Sequence, residues 1–204
     1  MKDKKENGMR SRQGSTDRYR VVKRVLDVVL SCLLLFFLAL PMAVIGLCVG
    51  LSSRGGVLFR QRRIGRGGLP FVCYKFRTMT ADAPPDRPSA AFPDAERYVT
   101  PIGRFLRRTS LDELPQLFNV LRGDMSLVGP RPLIGQEGEI HRVREENGVY
   151  EVRPGMTGLA QINGRTRLGD SEKAALDIRY VQNMSLKNDL QILGRTVFSL
   201  RNKG

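Results

Sequence analysis

Two adjacent carboxylates, Asp112 and Glu113, are candidates for catalysis because they lie in a segment rich in arginine. The segment reads TSLDELPQL, with GRFLRR directly before it and Arg131 downstream. Ser110, followed three residues later by Glu113, matches a capping box, in which these side chains would only begin a helix. The alternative is catalysis with divided roles: one carboxylate attacks or binds metal, and its neighbour handles a proton or a second substrate.

The arginines around the pair favour an ionised carboxylate and a phosphate-containing substrate. Arg107, Arg108 and Arg131 should keep Asp112 charged, as a nucleophile requires. Arginines in this number suit phosphate oxygens better than a neutral sugar. A glycosidase pair needs about 5 Å or more between carboxyl groups that flank one bond, which neighbouring residues do not readily provide. The phosphate motifs GxxxxGK[ST], DxD and GxGxxG are absent from the sequence.

The composition points to an anionic partner and narrows the chemistry. Lys and Arg number 34 against 20 Asp and Glu, which favours nucleic acid, anionic lipid or phosphorylated substrates. Tryptophan is absent and Tyr and Phe are scattered, so a stacking platform for nucleic acid is not indicated. The single His141 argues against His-based metal sites and Ser-His-Asp triads, and the three cysteines form no CxxC.

Residues 25–51 form an apolar run, and about 20 such residues suffice to cross a bilayer as a helix. Basic residues flank the run on both sides, whereas a spanning helix should show lopsided charge. Pro41, inside the run, removes a backbone hydrogen bond. These features predict a helix that enters the membrane, turns near Pro41 and leaves by the same face. An ordinary kinked span is the alternative.

Two flanking features of the apolar run also lead to predictions. Residues 1–17 are polar and charged without apolar periodicity, which predicts a disordered basic tail. Asp27 is costly at a membrane face unless it is paired, and Lys23 or Arg24 one turn earlier could pair with it.

The remaining chain predicts a small α+β domain that is mainly helical. The segments VLFRQRRIG and LPFVCYKFRTM flank a GRGG turn and are typical of a β-hairpin. In the second strand, Val72, Tyr74 and Phe76 should form an apolar face, opposite a partly basic face that carries Lys75. Apolar spacing over 101–121 predicts two short helices that meet near Ser110.

Helical periodicity returns towards the end of the chain. Residues 171–183 have helical character, and the last segment, SLKNDLQILGRTVFSLRNKG, predicts a basic amphipathic helix. Such a helix could lie on a membrane surface or pack on the domain.

Four motifs carry a likeness to a known family: KRVLD (23–27), YKFRTM (74–79), the block at 103–132 and RPGMTGLAQINGR (153–165). They resemble the bacterial sugar transferases, and more specifically the monotopic polyprenyl-phosphate phosphoglycosyl transferases of minimal size. The likeness covers about residues 18–202, and the block at 103–132 is long and highly specific.

The resemblance implies transfer of a sugar 1-phosphate from a UDP-sugar to a polyprenyl phosphate such as undecaprenyl phosphate, with release of UMP. Asp112 would attack the sugar-linked phosphate to form a covalent phosphosugar intermediate, and Glu113 would assist the second transfer. Mg²⁺ close to Asp112 would offset charge on the diphosphate. Arg107, Arg131 and Lys75 would bind phosphate.

The resemblance also implies a domain order and a location. Residues 18–52 would form a re-entrant membrane helix, and 53–204 a catalytic domain on the cytoplasmic face of the bacterial inner membrane. The family usually has a Ser-Pro pair at the helix break, whereas Leu40 precedes Pro41 here. The implied partners are the UDP-sugar, polyprenyl phosphate and membrane lipid, with a homodimer as a candidate assembly and no nucleic acid.

Three questions stay open at this point. The sugar is not identified, although the minimal size favours UDP-linked N-acetylated hexosamines or their deoxy-amino derivatives over UDP-glucose and UDP-galactose. A sugar-diphosphate hydrolase would use the same aspartyl intermediate with water as acceptor. A non-catalytic basic membrane adaptor would need the acidic pair only as a helix cap.

Overall fold

The computed structural model describes residues 2–52, 54–83, 95–135, 138–164 and 168–201, with side chains from 18 to 199 in these ranges. The described chain is mostly helical. The helices are α1 (Lys2–Ser52), α2 (Pro101–Thr109), α3 (Gln116–Arg122), α4 (Glu139–Glu146), α5 (Leu159–Ile162), α6 (Asp170–Gln182) and α7 (Leu186–Arg201). The strands are β1 (Leu58–Ile64), β2 (Pro70–Phe76), β3 (Ser126–Val128) and β4 (Gly155–Thr157).

The hairpin predicted from the sequence is confirmed. Strands β1 and β2 are antiparallel, with Leu58 opposite Phe76 and Ile64 opposite Pro70. One detail of the prediction is wrong: Val72 is exposed, whereas Cys73 is buried and belongs to the core. One core cluster packs on the face of β2 that carries Cys73, whereas on the opposite face Phe76 is buried in a second cluster and Val72 is not.

A second pair of strands was not foreseen from the sequence. Strands β3 and β4 are parallel and bring the segment GPRP (129–132) against the segment RPGMTG (153–158). The contact is made through glycine backbones, because a Cβ on Gly155 would lie 2.1 Å from the nitrogen of Gly129. A Cβ on Gly158 would likewise lie 2.1 Å from the Gly129 oxygen. Glycine at these positions therefore permits the close approach of the two loops.

Helix α1 packs on the rest of the chain with both of its halves. Leu35, before Pro41, contacts a core cluster that includes Leu117 and Ile192. Val49, after Pro41, is fully buried in a second cluster. The other buried members of that second cluster are Phe76 and Leu106. Segments of α1 on both sides of Pro41 therefore pack on the same domain.

Helix α1 differs from the sequence predictions in three respects. It is continuous through Pro41 and begins at Lys2, where a disordered tail over 1–17 was predicted. The Lys, Glu, Arg and Gln residues of the tail are good helix formers and can extend a helix that is already nucleated. Asp27 also has a different partner, because its carboxylate accepts the backbone N–H of Leu127 at 3.0 Å.

The stretch Arg18–Ser52 of α1 is, among the described residues, the one helix long and apolar enough to cross a membrane. Its outer face is strongly apolar. The side chains of Phe36, Phe37 and Leu40 are between 72% and 77% exposed. An apolar surface of this kind is typical of a segment in contact with lipid.

Replacing Gly103 with alanine should destabilise the fold by about 1–3 kcal/mol, because a Cβ there has no room. It would lie 2.0 Å from the backbone oxygen of Thr78. Gly194→Ala in α7 is the matched control, since nothing lies within 4 Å of its added Cβ. The control should be neutral or more stable by up to about 1 kcal/mol. Denaturant unfolding in detergent measures both variants, and equal stability of the two would contradict the packing argument.

Candidate active site

The acidic pair lies in a tight turn between two helices. Helix α2 ends at Thr109, and Ser110 then adopts a left-handed conformation with φ of 62°. Leu111–Glu113 form a short 3₁₀ turn, and Pro115 stands directly before α3. The two helices predicted around Ser110 are thus confirmed. The capping box is wrong, because the Ser110 side chain makes no capping hydrogen bond.

Glu113 forms ion pairs with two of the predicted phosphate-binding residues. Its Oε1 accepts from Lys75 Nζ at 2.9 Å and from Arg131 Nη2 at 3.3 Å. Lys75 comes from β2 and Arg131 from the loop after β3, so these contacts join three separated segments. The charge of Glu113 is the largest cause that raises the pKa of Arg131 above its ordinary value.

Asp112 is half-buried beside this ion-paired group. Its burial raises the pKa of the carboxyl above the usual value, and the charge of Glu113 raises it further. Lys75 and Arg107 oppose this shift. The prediction that surrounding arginines dominate the ionisation of Asp112 is therefore incomplete, since burial is the larger influence.

Arg107 is held beside the pair by a residue that the sequence did not single out. Its Nε donates to the Thr78 hydroxyl at 2.9 Å, and Thr78 is buried. Thr78 belongs to the YKFRTM motif, which is the signal that could have identified it. Arg108, by contrast, is exposed. The structure therefore brings together Asp112, Glu113, Lys75, Arg107 and Arg131.

The loop that carries Arg131 is fixed by two other arginines. Arg144 Nη1 donates to the backbone oxygen of Arg131 at 2.9 Å. Arg63 Nη1 donates to the backbone oxygen of Pro132, also at 2.9 Å. Neither arginine was predicted to support the site, because each lies far from the acidic pair in sequence.

The site therefore holds the carboxylate of Asp112, which makes no ion pair among the described contacts. Three cationic side chains lie beside it, those of Lys75, Arg107 and Arg131. Cations fixed in this way can neutralise the oxygens of a phosphate group. Among the described residues, no group of three or more His, Cys, Asp or Glu side chains could hold a metal ion. Any metal here would need substrate oxygens to complete its coordination.

The chain matches the family model described as bacterial sugar transferase over residues 18–203. It is 46% identical over 188 residues to the UDP-glucose:undecaprenyl-phosphate glucose-1-phosphate transferase of Caulobacter vibrioides, covering 87% of this chain and 69% of that protein. It is 42% identical over 181 residues to the uncharacterized sugar transferase EpsL of Bacillus subtilis, covering 87% and 86%.

A third relative is longer. The undecaprenyl-phosphate galactose phosphotransferase of Salmonella typhimurium is 39% identical over 193 residues, which are 87% of this chain and 40% of that protein. The likeness extends over nearly the whole of this chain and includes the acidic pair and the residues that surround it. Such a match argues against the non-catalytic adaptor. The chain belongs to the bacterial sugar transferase family and is an enzyme of the phosphoglycosyl transferase kind.

Proposed function

We propose that this enzyme transfers a sugar 1-phosphate from a UDP-sugar to a polyprenyl phosphate such as undecaprenyl phosphate, and that it releases UMP. The names of the Caulobacter and Salmonella relatives support this reaction class. The observation that carries the proposal is the position of Asp112, a carboxylate flanked by cations from three separate segments. A carboxylate nucleophile next to a phosphate cradle is what the reaction needs.

In the first half of the reaction, a carboxylate oxygen of Asp112 attacks the phosphorus that carries the sugar. The bond from this phosphorus to the bridging oxygen breaks, and UMP leaves with the electron pair. Lys75, Arg107 and Arg131 bind the phosphate oxygens and stabilise the charge that develops on them. The product is an acyl phosphate between Asp112 and the sugar 1-phosphate.

In the second half, an oxygen of the polyprenyl phosphate attacks the phosphorus of this acyl phosphate. The bond to Asp112 breaks and restores the carboxylate, and a lipid-linked diphosphate sugar results. Glu113 assists by holding Lys75 and Arg131 where the incoming phosphate must bind. Two displacements in sequence replace one difficult transfer between two anions.

Magnesium fits this site when its substrate is present. Mg²⁺ usually keeps several waters and binds one or two carboxylates together with substrate phosphates, so Asp112 alone can supply the protein ligand. When bound, the ion would neutralise charge on the diphosphate. Glu113 is the less suitable ligand because two cations already contact it.

A donor panel with and without polyprenyl phosphate tests the proposed reaction. UDP-glucose comes first because of the name of the Caulobacter relative, followed by UDP-galactose and UDP-N-acetylhexosamines. We expect UMP and a lipid-linked sugar to appear together with at least one donor. Free sugar 1-phosphate formed without any lipid-linked product would instead indicate a hydrolase.

We also propose that the catalytic domain lies on one face of the membrane, with α1 entering and leaving by that face. Asp27 and Val49 would be about 33 Å apart along a straight helix, which exceeds the hydrocarbon thickness of about 30 Å. Asp27 nevertheless bonds to Leu127, and Val49 packs against Phe76, in the same domain. A transmembrane helix would place these contacts on opposite sides. Because the UDP-sugar donor is soluble in the cytoplasm, the catalytic domain would lie on the cytoplasmic face of the membrane. This is the face on which the first membrane step of glycoconjugate assembly would occur.

Cysteines introduced at Ser11 and Ser52 should label from the same side of the membrane. The background would lack the native cysteines, which are Cys32, Cys48 and Cys73. An impermeant maleimide applied to inverted and right-side-out vesicles measures the result. Labelling of the two positions from opposite sides would contradict the one-sided arrangement.

A further inference from the structure

A second group of arginines surrounds a cavity that is separate from the acidic pair. The cavity has a volume of about 90 Å³ and lies between the first turns of the apolar helix and the loop before β4. Its charged lining residues are Arg20, Lys23, Arg24, Arg66 and Arg153, together with Asp27 and Glu151. None of the five predicted site residues lines this cavity.

Three of these guanidinium groups share one kind of partner, which is an uncharged main-chain oxygen. These partners are Val120 and Leu121 for Arg24, Glu151 for Arg66, and Gly123 for Arg153, at 2.6, 2.9, 3.0 and 2.8 Å. Among the described residues, no ion pair joins any of the three to a carboxylate. The carbonyl contacts orient the guanidinium groups without neutralising them.

The positive charge around the cavity exceeds what Asp27 and Glu151 can balance, because four arginines line it even when Lys23 is set against its partner Asp189. Burial lowers the pKa of Arg153, and the nearby charges of Arg24 and Arg66 lower it further, while Asp27 opposes them. The carboxylate of Asp27 is also engaged by the Leu127 N–H. An anion in the cavity would relieve this repulsion, and guanidinium groups match the oxygens of a phosphate in particular.

Helix capping explains only part of this arrangement. Arg24 and Arg153 bind carbonyls at the end of α3, where a cation is favourable. Arg66 belongs to the hairpin turn and binds elsewhere, and yet it faces the same cavity. Convergence of three segments on one cavity is therefore better explained by a ligand.

We propose that Arg24, Arg66 and Arg153 form a binding site for a phosphate ester, which the membrane supplies as the headgroup of an anionic phospholipid. Arg24 directly precedes the apolar run, so the cavity lies where α1 enters the lipid. This choice of source rests on the one-sided membrane placement proposed above, whereas the phosphate chemistry does not. A bound headgroup would hold the start of α1 on the domain.

The test compares charge-matched variants of the full chain purified in neutral detergent. Arg66→Gln removes an exposed member of the site, and Arg142→Gln is the control because its ion pairs are with Glu139 and Glu146 on its own helix. Phosphatidylglycerol bound per chain is measured by native mass spectrometry. We expect roughly tenfold weaker retention for Arg66→Gln and unchanged retention for Arg142→Gln.

Arg153→Gln should also retain roughly tenfold less phosphatidylglycerol. Arg66→Gln is the primary variant because Arg66 is exposed, whereas Arg153 is half-buried. Equal retention by Arg66→Gln and Arg142→Gln would overturn the site, since surface charge alone would then explain lipid binding.

A second experiment distinguishes a lipid headgroup from free phosphate as the ligand. Inorganic phosphate is titrated in nanodiscs with and without phosphatidylglycerol. Phosphate binding that depends on Arg66 and is indifferent to phosphatidylglycerol would overturn the lipid assignment. UMP release plays no part in these measurements, so failure of the transferase proposal would be seen separately.

Discussion

Replacing Asp112 with asparagine should reduce the rate of UMP release by roughly a thousandfold or more, because the amide cannot attack phosphorus. The change is nearly isosteric and leaves the turn Leu111–Glu113 with its backbone contacts. Glu113 keeps its ion pairs with Lys75 and Arg131 in this variant. Loss of activity would therefore reflect loss of the nucleophile and not loss of the phosphate-binding cations.

Two controls make this result specific. Asp170→Asn removes an exposed carboxylate that pairs with Lys173 on its own helix, and it should leave UMP release unchanged. Mass spectrometry of the native enzyme, incubated with donor alone, should find one sugar phosphate on the peptide that contains Asp112. An adduct on another residue, or full activity of Asp112→Asn, would contradict the covalent mechanism.

The sequence predicted the local elements of the site well. The strand that carries Lys75 and the two helices around Ser110 follow from alternation and apolar spacing, which depend on neighbouring residues alone. Asp112 and Glu113 were identified because carboxylates in a basic segment are unusual. Their distinct environments were not predicted, since these depend on Lys75 and Arg131, which other segments supply.

Long-range contacts account for what the sequence did not predict. A capping box was predicted at Ser110 and Glu113, but Ser110 adopts a left-handed conformation instead. The Glu113 side chain cannot cap the helix because it forms ion pairs with Lys75 and Arg131. Asp27 was expected to pair one turn away on its own helix, and it instead bonds to Leu127, 100 residues later. Apolar spacing contains no signal for either contact, because both depend on how separate elements pack.

Support of the site by a buried ion pair is a further consequence of this packing. Arg144 of α4 pairs with Asp177 of α6, and their side chains are 2% and 0% exposed. The pair is incompletely satisfied, since Arg144 Nε and Asp177 Oδ1 are buried without hydrogen-bond partners. Burial raises the pKa of Asp177 to about 6, against the attraction of Arg144. The folded state thus binds this proton more tightly than the unfolded chain, so protonation of Asp177 adds stability at low pH, and this added stability is lost as pH rises through about 6.

Removing either partner alone should destabilise the protein by about 3–5 kcal/mol at pH 7, because an uncompensated charge would remain buried. Arg144→Leu and Asp177→Leu are the single variants, and denaturant unfolding in detergent measures the free energy of unfolding. The double variant should recover most of the loss, since it removes both desolvation penalties at once. A double variant whose loss equals the sum of the single losses would show that the two residues contribute independently.

The rate of UMP release should differ between Arg144→Leu and Asp177→Leu even where both variants are folded. Arg144 also binds the backbone oxygen of Arg131, whereas the hydrogen bond of Asp177 among the described residues is to Arg144. The double variant should therefore regain stability without regaining UMP release, because Arg131 would lack the contact that positions it beside Glu113. Recovery of both properties together would show that Arg131 is positioned without the contact from Arg144. Stability regained without UMP release would instead make the buried pair a support for the active site as well as a feature of the core.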